Sequence, residues 1–226
     1  GLLTTVAFGA TYWYYKPVVT NPTPITPYIP PPFVWEKIPK PVLKRFTVPI
    51  NEDMSTGWSM TSTVIIGITG LLAKGFLHLS HYKVYNLDRF LNILYDPNRK
   101  KGIVTVSNHE SVLDDPLLWG VLPIKTLFSI QNMRWTLGAA DICFTSIFKS
   151  FFFALGQTIP TIRGAGIYQP GVDFAIQKLN KNGWIHVFPE SKVTQQPDYE
   201  MIRFKWGIGR ILMDSCEEEG VIVIPI

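Results

Sequence analysis

The sequence predicts an α/β domain, a mixed and mostly parallel sheet flanked by helices, with an amphipathic membrane-associated helix ahead of it. From residue 87 onward, short β-branched runs alternate with helical patterns, the repeat that produces crossover-connected strands. Hydrophobic types make up 46% of the 226 residues and charged types 17%, which excludes disorder or a coiled coil as the overall state and suits one core rather than two. Before the alternation begins, residues 58–81 form one long helical pattern with small and polar side chains gathered on a single stripe.

At the N-terminal side, residues 1–15 are apolar and close on Tyr12, Trp13, Tyr14, Tyr15 and Lys16, the aromatic-then-basic order found where a helix leaves a bilayer. That stretch is shorter than the roughly 20 residues a span requires, so it reads as the tail of a longer segment or as a surface stretch. Ten of the 18 prolines lie between residues 17 and 49, including Pro30, Pro31 and Pro32, which predicts an extended, polyproline-like linker. Residues 1–57 are therefore read as apolar segment plus linker, and residues 58–226 as the functional domain. Because the chain opens on Gly1 and residues 221–226 read as a buried strand cut at its end, the domain is expected to be truncated on its C-terminal side.

In the 58–81 helix, Ser59, Thr61 and Ser62 are available as N-caps. Its longest apolar-or-small run, residues 64–73, is half a spanning length before Lys74 interrupts it, so the helix is expected to lie on a membrane rather than cross it. Thr63, Gly67, Gly70, Lys74, His78 and His81 fall on one stripe, and Ile65, Ile68, Leu72, Phe76 and Leu79 on the other. Trp58, Ile65, Ile68, Leu72 and Phe76 are the predicted membrane contacts. A core helix has the same periodicity, so packing against the domain stays open. His78 and His81 have no third ligand in view, and no metal site is expected.

The body begins with a short helix at residues 87–95. Strands are predicted at 103–106, 126–130, 158–162, 184–188 and 221–224, and helices at 116–121, 139–155, 172–179 and 203–216. Sites in such sheets gather at strand ends and helix starts.

One such corner carries the strongest chemical signal. Asn108, His109, Glu110, Ser111, Val112, Leu113, Asp114, Asp115 and Pro116 follow the first body strand directly. Pro116 suits the first helical position with Asp115 as N-cap, so strand and helix deliver His109 and Asp114 to the same turn. A carboxylate five residues from an imidazole can fold back, accept one ring N–H and leave the other nitrogen free as a general base toward a hydroxyl. A capping aspartate and a plain loop histidine are the competing reading. Ser107 and Ser111 lie close in sequence, but no GxSxG elbow is present and triads draw their members from separate segments. The expected nucleophile is a substrate hydroxyl, with no covalent enzyme intermediate.

Two further strand ends add charge. Arg163, with Gly164 after it, follows the 158–162 strand and can clamp a phosphate, or stand as an ordinary surface arginine. Phe188, Pro189, Glu190, Ser191 and Lys192 end the 184–188 strand, so Glu190 and Lys192 emerge beside His109 if the two strands are neighbours. His186 reads as a packed or solvated histidine rather than a second base. The 21 basic against 17 acidic residues fit an anionic membrane surface and nucleic acid equally well; the run Arg203 to Arg210 could touch RNA or phospholipid headgroups, a solvated helix face is preferred to RNA binding, and no nucleic-acid partner is expected. The phenylalanines at 144, 148, 151, 152 and 153 read as core with a possible acyl-chain wall. Cys143 and Cys216 form neither a zinc motif nor a disulfide framework and are expected to be inert thiols.

These residues together make the chain resemble the glycerolipid acyltransferase family, whose mark is a histidine, four residues and an aspartate, here His109 and Asp114. The likeness continues through Asp115, Pro116, Leu118, Trp119 and Gly120, then Met133, Arg134 and Trp135, then Ala139 to Phe144, and Arg203 to Arg210, covering roughly residue 58 to the end. It implies an acyltransferase-like fold and acyl transfer between a phospholipid and a lysophospholipid, notably cardiolipin and monolysocardiolipin, with no coenzyme A or other cofactor. It also implies a monotopic mitochondrial membrane location facing the intermembrane space; an oligomer is compatible with this. By the family pattern His109 is the base, Asp114 orients it, and Arg163 and Glu190 hold the glycerophosphate; Lys192 is added as a phosphate partner outside that pattern. Two positions depart from that pattern: Ser191 stands where glycine is expected, and Val193 where the wider family has arginine. The last family motif begins at about Pro225. An acyl-CoA-dependent lysophospholipid acyltransferase and a non-catalytic lipid-binding or scaffold protein are the alternative readings.

Overall fold

The computed structural model describes residues 4–7, 37–46, 55–193, 202–215 and 220–226. In chain order the elements are β1 (Thr4–Ala7), α1 (Lys40–Arg45), α2 (Thr56–His78), β2 (Tyr82–Tyr85), α3 (Leu87–Leu94), β3 (Ile103–Val106), α4 (Asp114–Val121), α5 (Ile124–Leu127), β4 (Trp135–Ala139), α6 (Ala140–Cys143), α7 (Ile147–Leu155), β5 (Thr158–Thr161), α8 (Pro170–Asn180), β6 (Trp184–Val187), α9 (Trp206–Asp214) and β7 (Ile222–Pro225). The main sheet runs β5-β4-β6-β3-β7, and β1 pairs separately with β2. Within the apolar 1–15 segment Thr4–Ala7 is a strand; the Tyr12 to Lys16 cluster lies outside the described residues.

Every described pairing is parallel, with Ile103 opposite both Trp184 and Ile222, and Thr136 opposite both Thr158 and His186. The antiparallel member implied by a mixed sheet is not found among the described strands. Each strand is joined to the next through helical crossovers, which return the chain to the same edge. All five C-terminal strand ends therefore share one edge of the sheet. Side chains alternate across it: Ile103 and Trp184 enter one apolar cluster with α3, α4 and α5, whereas Val104 and Ile185 enter the other with α1, α7, α8 and α9. Helices thus cover both faces.

Four local expectations are corrected. Residues 126–130 are not a strand: Thr126 and Leu127 belong to α5, which starts after Pro123, and Leu127 is fully buried under α2. The missing strand is β4, disguised by Gly138 and Ala139, weak strand formers; a Cβ at Gly138 would lie 2.3 Å from Thr158 Cγ2 on β5. The single 139–155 helix is two, because Ser146 begins a new one by accepting the Lys149 N–H at 3.3 Å. Finally, the Pro-rich linker is not extended throughout. Lys40–Arg45 is helical, and Ile38, Val42 and Phe46 are buried in the core, contributing on the order of 5 kcal/mol.

The long helix α2 is capped by Ser55, whose hydroxyl accepts the Trp58 N–H, rather than by Ser59, Thr61 or Ser62. Ser62 instead donates to Leu155 O at 2.5 Å. Its 23 residues give about 35 Å, so by length and composition it could cross a membrane, although 33% of its most apolar window is buried in the domain. The small-residue stripe is the one turned inward: Gly67 and Gly70 lie against Phe128 and Leu127, and Lys74 donates to Gly120 O at 2.7 Å. Ile68, Leu72, Phe76 and Leu79 are exposed, Ile65 is half-buried, and Trp58 packs on Phe151 with ring centroids 6.2 Å apart.

Candidate active site

β3 and β6 are adjacent, with Val106 opposite Val187, so the loops leaving their C-terminal ends emerge side by side. In the first of these loops Asp114 folds back. Its Oδ2 accepts the N–H groups of Glu110 at 2.8 Å and Ser111 at 2.9 Å, and lies 3.1 Å from His109 Nδ1. A carboxylate offers only acceptors, so Nδ1 carries a hydrogen and Nε2 is the ring nitrogen left to exchange a proton. The two side chains are 19% and 29% exposed, sheltered yet reachable. Because Asp114 closes this turn, α4 starts at Asp114 itself, two residues earlier than an Asp115 cap would place it.

Asp115 is turned the other way. Its carboxylate receives Arg134 Nε at 2.8 Å and Nη2 in a two-pronged contact, while Nη1 donates to Gly156 O at 3.2 Å. The Arg134 side chain is fully buried, with its guanidinium 4.5 Å from the Trp119 ring centroid. It ties the start of α4 to the start of β4 and the end of α7. Sequence reasoning gave Arg134 no role; the available signal was an arginine inside the apolar stretch Met133 to Trp135.

The second loop supplies a wall. Phe188 stacks on His109 with ring centroids 4.0 Å apart and planes 21° from parallel, and meets His186 perpendicularly at 4.5 Å. His186 is buried, with Nδ1 2.8 Å from Thr105 Oγ1 and Nε2 3.4 Å from Ser107 Oγ. Burial, then the positive Arg134, push its pKa down to about 3, so it is a packed neutral histidine as expected. The nearby serines have local partners: Ser111 Oγ accepts the Leu113 N–H, and Ser107 Oγ donates to Asn108 O. Cys143 is half-buried, and its thiol is raised to about 11, chiefly by burial, which leaves it unreactive; Cys216 lies outside the described residues.

The remaining charged residues are dispersed along the edge. Glu190 is buried, and its Oε2 accepts the Ile202 N–H at 3.1 Å, bracing the chain that leads to α9. Lys192 is exposed on the same turn. Ser191, at the glycine position of the family pattern, takes φ 59°, the left-handed conformation glycine adopts freely. Arg163 is exposed, 3.5 Å from Asp141. It follows β5, three strands from β3, or about 14 Å at ordinary strand spacing, so it does not stand beside His109. Arg210 is not available as a surface cation: it bonds Asp173, Asp214 and Ile167 O and lies over the Tyr168 ring. Arg203 and Lys205 remain exposed before α9, beside Phe204 and Trp206. With Val112 and Leu113 after β3 and Ile142, Ile147 and Phe148 after β4, they give the loops at this edge an apolar rim. Of the five phenylalanines, Phe144 is core, Phe151 and Phe153 are partly buried, and Phe148 and Phe152 are exposed.

The sequence that builds this geometry has relatives among known proteins. The family model described as Acyltransferase matches residues 81–226, most of the chain and all of its main sheet. The chain belongs to the acyltransferase family. Within that family it is 42% identical over 170 residues to tafazzin of Drosophila melanogaster, covering 74% of this chain and 44% of that protein. It is 39% identical over 165 residues to the protein Taffazin of Dictyostelium discoideum, covering 72% and 57%. A third relative is N-acylphosphatidylethanolamine synthase of Arabidopsis thaliana, 39% identical over 168 residues, covering 73% and 57%. This acyltransferase chain spans about half the length of the curated relatives it matches. Its His109-to-Asp114 spacing, the sheet that supports it and the match together align with the α/β reading of the sequence.

Proposed function

We propose that this domain moves acyl chains between phospholipids and lysophospholipids, remodelling cardiolipin at a mitochondrial membrane without coenzyme A. The observation that carries the reading is the His109–Asp114 pair, 3.1 Å apart, with Nε2 left open at an edge ringed by exposed apolar side chains. Nε2 takes the proton of the lysolipid hydroxyl as its oxygen attacks the ester carbonyl of the donor. Asp114 faces the resulting imidazolium and holds its ring in place. The tetrahedral adduct then expels the donor's alkoxide, which recovers the proton from His109, so one ester bond forms, one breaks, and no acyl group rests on the enzyme. Lys192 and Arg163 supply positive charge for phosphate, and Glu190 supports their edge from within.

Membrane contact follows from the same exposures. The packing of the glycine side of α2 along the domain supports a monotopic arrangement, with the exposed Ile68, Leu72 and Phe76 face against lipid. The name of the Arabidopsis relative favours a second reading in which the acceptor is the amine of phosphatidylethanolamine.

The test incubates the protein in vesicles with a phospholipid carrying deuterated acyl chains and monolysocardiolipin, with and without acyl-CoA, and follows products by mass spectrometry. Label is expected in cardiolipin without acyl-CoA, and His109→Ala and Asp114→Ala are each expected to lose at least ~100-fold of the rate with unchanged melting. Exchange retained in either variant overturns the mechanism. A strict need for acyl-CoA, an N-acylated product, or lipid binding with no product would each replace the reading by the corresponding alternative.

A further inference from the structure

The chemistry proposed above leaves His109 positively charged for as long as it holds the acceptor's proton, and one face of its ring is already covered by Phe188. We propose that Phe188 is a positioning residue: its ring fixes the plane of the His109 imidazole and stabilises the positive charge that the imidazole acquires. The inference rests on His109 acting as the base, but its geometry is independent of which lipid is the acceptor.

Two constraints are needed to aim Nε2. The bond from Nδ1 to Asp114 Oδ2 at 3.1 Å fixes one edge of the imidazole, yet a ring held by one hydrogen bond can still turn about that axis. A phenyl face at 4.0 Å, tilted by only 21°, blocks that rotation. The same distance lies well within the range at which a ring face attracts a cation, and attraction to the charged imidazole exceeds that to the neutral one. The interaction therefore grows as the proton arrives, which is what raises a rate rather than an affinity.

Phe188 is itself held. The N–H of Ser191 donates to Phe188 O at 3.0 Å, closing a turn under it. His186, near the end of β6 and two residues back, meets it perpendicularly at 4.5 Å. That histidine is anchored on Thr105 and Ser107, both from the β3 side. The plane of the reacting imidazole thus traces back to the β3–β6 pairing. It also gives His186 a function: a buried, uncharged ring that props the platform without adding a second cation beside it.

The experiment compares the wild-type chain, Phe188→Leu, Phe188→Tyr and a series with fluorinated phenylalanines at position 188, all over the same residues and in the same vesicles. With four histidines in the chain, the His109 ring protons are assigned by their loss in His109→Ala. An upfield ring-current displacement of those protons is expected in wild type and Phe188→Tyr and absent in Phe188→Leu. Phe188→Leu should lower kcat for exchange by about 2- to 30-fold with KM changed by less than about twofold, and Phe188→Tyr should restore it. Successive fluorines withdraw ring electrons at nearly constant shape, so kcat should fall stepwise. A flat kcat across that series, or no ring-current displacement in wild type, overturns the proposal. If Phe188→Leu does not fold, the fluorinated series carries the test. If wild type does not exchange acyl groups at all, the transacylase reading fails, while the ring-current measurement still decides whether the stack exists.

Discussion

Which face of α2 meets the domain can be read from four glycine-to-alanine substitutions. At Gly70 a new Cβ would lie 2.5 Å from Leu127 Cδ2, a fully buried side chain; at Gly67 it would lie 2.4 Å from Phe128 Cε1, on a ring that is 47% exposed. Gly75 sits on the exposed stripe with Ile68 and Leu72 and meets nothing within 4 Å, whereas a Cβ at Gly120 on α4 would meet the Ala73 backbone at 2.8 Å. Alanine gains about 1 kcal/mol over glycine inside a helix, and overpacking costs about 1–3 kcal/mol. The balance makes Gly75→Ala stabilising by about 1 kcal/mol. Gly67→Ala should be close to neutral, since Phe128 can swing into solvent. Gly70→Ala should lose about 1 kcal/mol and Gly120→Ala about 2, because a buried leucine yields little and backbone less. At 2–4 °C per kcal/mol for a domain this size, melting followed by tryptophan fluorescence in one detergent should rise by about 3 °C for Gly75→Ala and fall by about 3 and 6 °C for the last two. If Gly70→Ala stabilises as much as Gly75→Ala, the small-residue stripe faces outward and the packing of α2 described above is wrong.

Arg134→Met should destabilise by about 3–5 kcal/mol in urea unfolding, since it strands Asp115; adding Asp115→Leu should recover most of that loss, and a double variant no better than the single would show that the pair is not the unit. Stability should also depend on acid through His186. Its folded pKa, about 3, lies below the ordinary histidine value of 6.5, so below pH 6.5 the unfolded chain binds a proton that the folded one refuses. Stability is then lost as pH falls from 6.5 toward 3, by up to about 1.4 kcal/mol per pH unit, and a His186→Gln variant lacking that slope is the expected control; an unchanged slope rejects the assignment. Ser191→Gly should raise stability by about 0.5 kcal/mol, the relief of a left-handed serine less the entropy glycine adds to the unfolded chain, and Ser191→Val should lower it; the opposite order would mean the turn is not strained.

What could be read from the chain alone was local. The β3 strand, the helix after Asp114 and the fold-back of Asp114 onto His109 depend on residues a few positions apart, and spacing rules reach that far. What failed depended on partners distant in sequence. Leu127 joins α5 rather than a strand because α2 covers it, and β4 tolerates Gly138 because Thr158 occupies the space a side chain would need. Arg134 and Asp115 are 19 residues apart, and Phe188 and His109 far more, so neither contact has a spacing signature. The amphipathic pattern of α2 was visible, but its polarity was not. Glycines and a lysine look like the wet side until it is known that two glycines receive α5 and the lysine caps the carbonyl of Gly120.

Strand order also separates the two cations assigned to phosphate. Because β6 lies directly beside β3, Lys192 leaves the sheet one strand spacing from the His109 loop, whereas Arg163 leaves it three spacings away, roughly 14 Å. A phosphate close to the reacting hydroxyl can reach the first position and not readily the second. Lys192→Ala should therefore raise KM by several-fold for any lysophospholipid acceptor. Arg163→Ala should act selectively on an acceptor long enough to lie along the edge, such as monolysocardiolipin with its two phosphates, and leave one-phosphate acceptors within about twofold. Initial rates for both acceptor types with both variants decide the matter. If Arg163→Ala impairs one-phosphate and two-phosphate acceptors equally, the edge does not act as a ruler, and Arg163 contributes through its contact with Asp141 or through general charge instead.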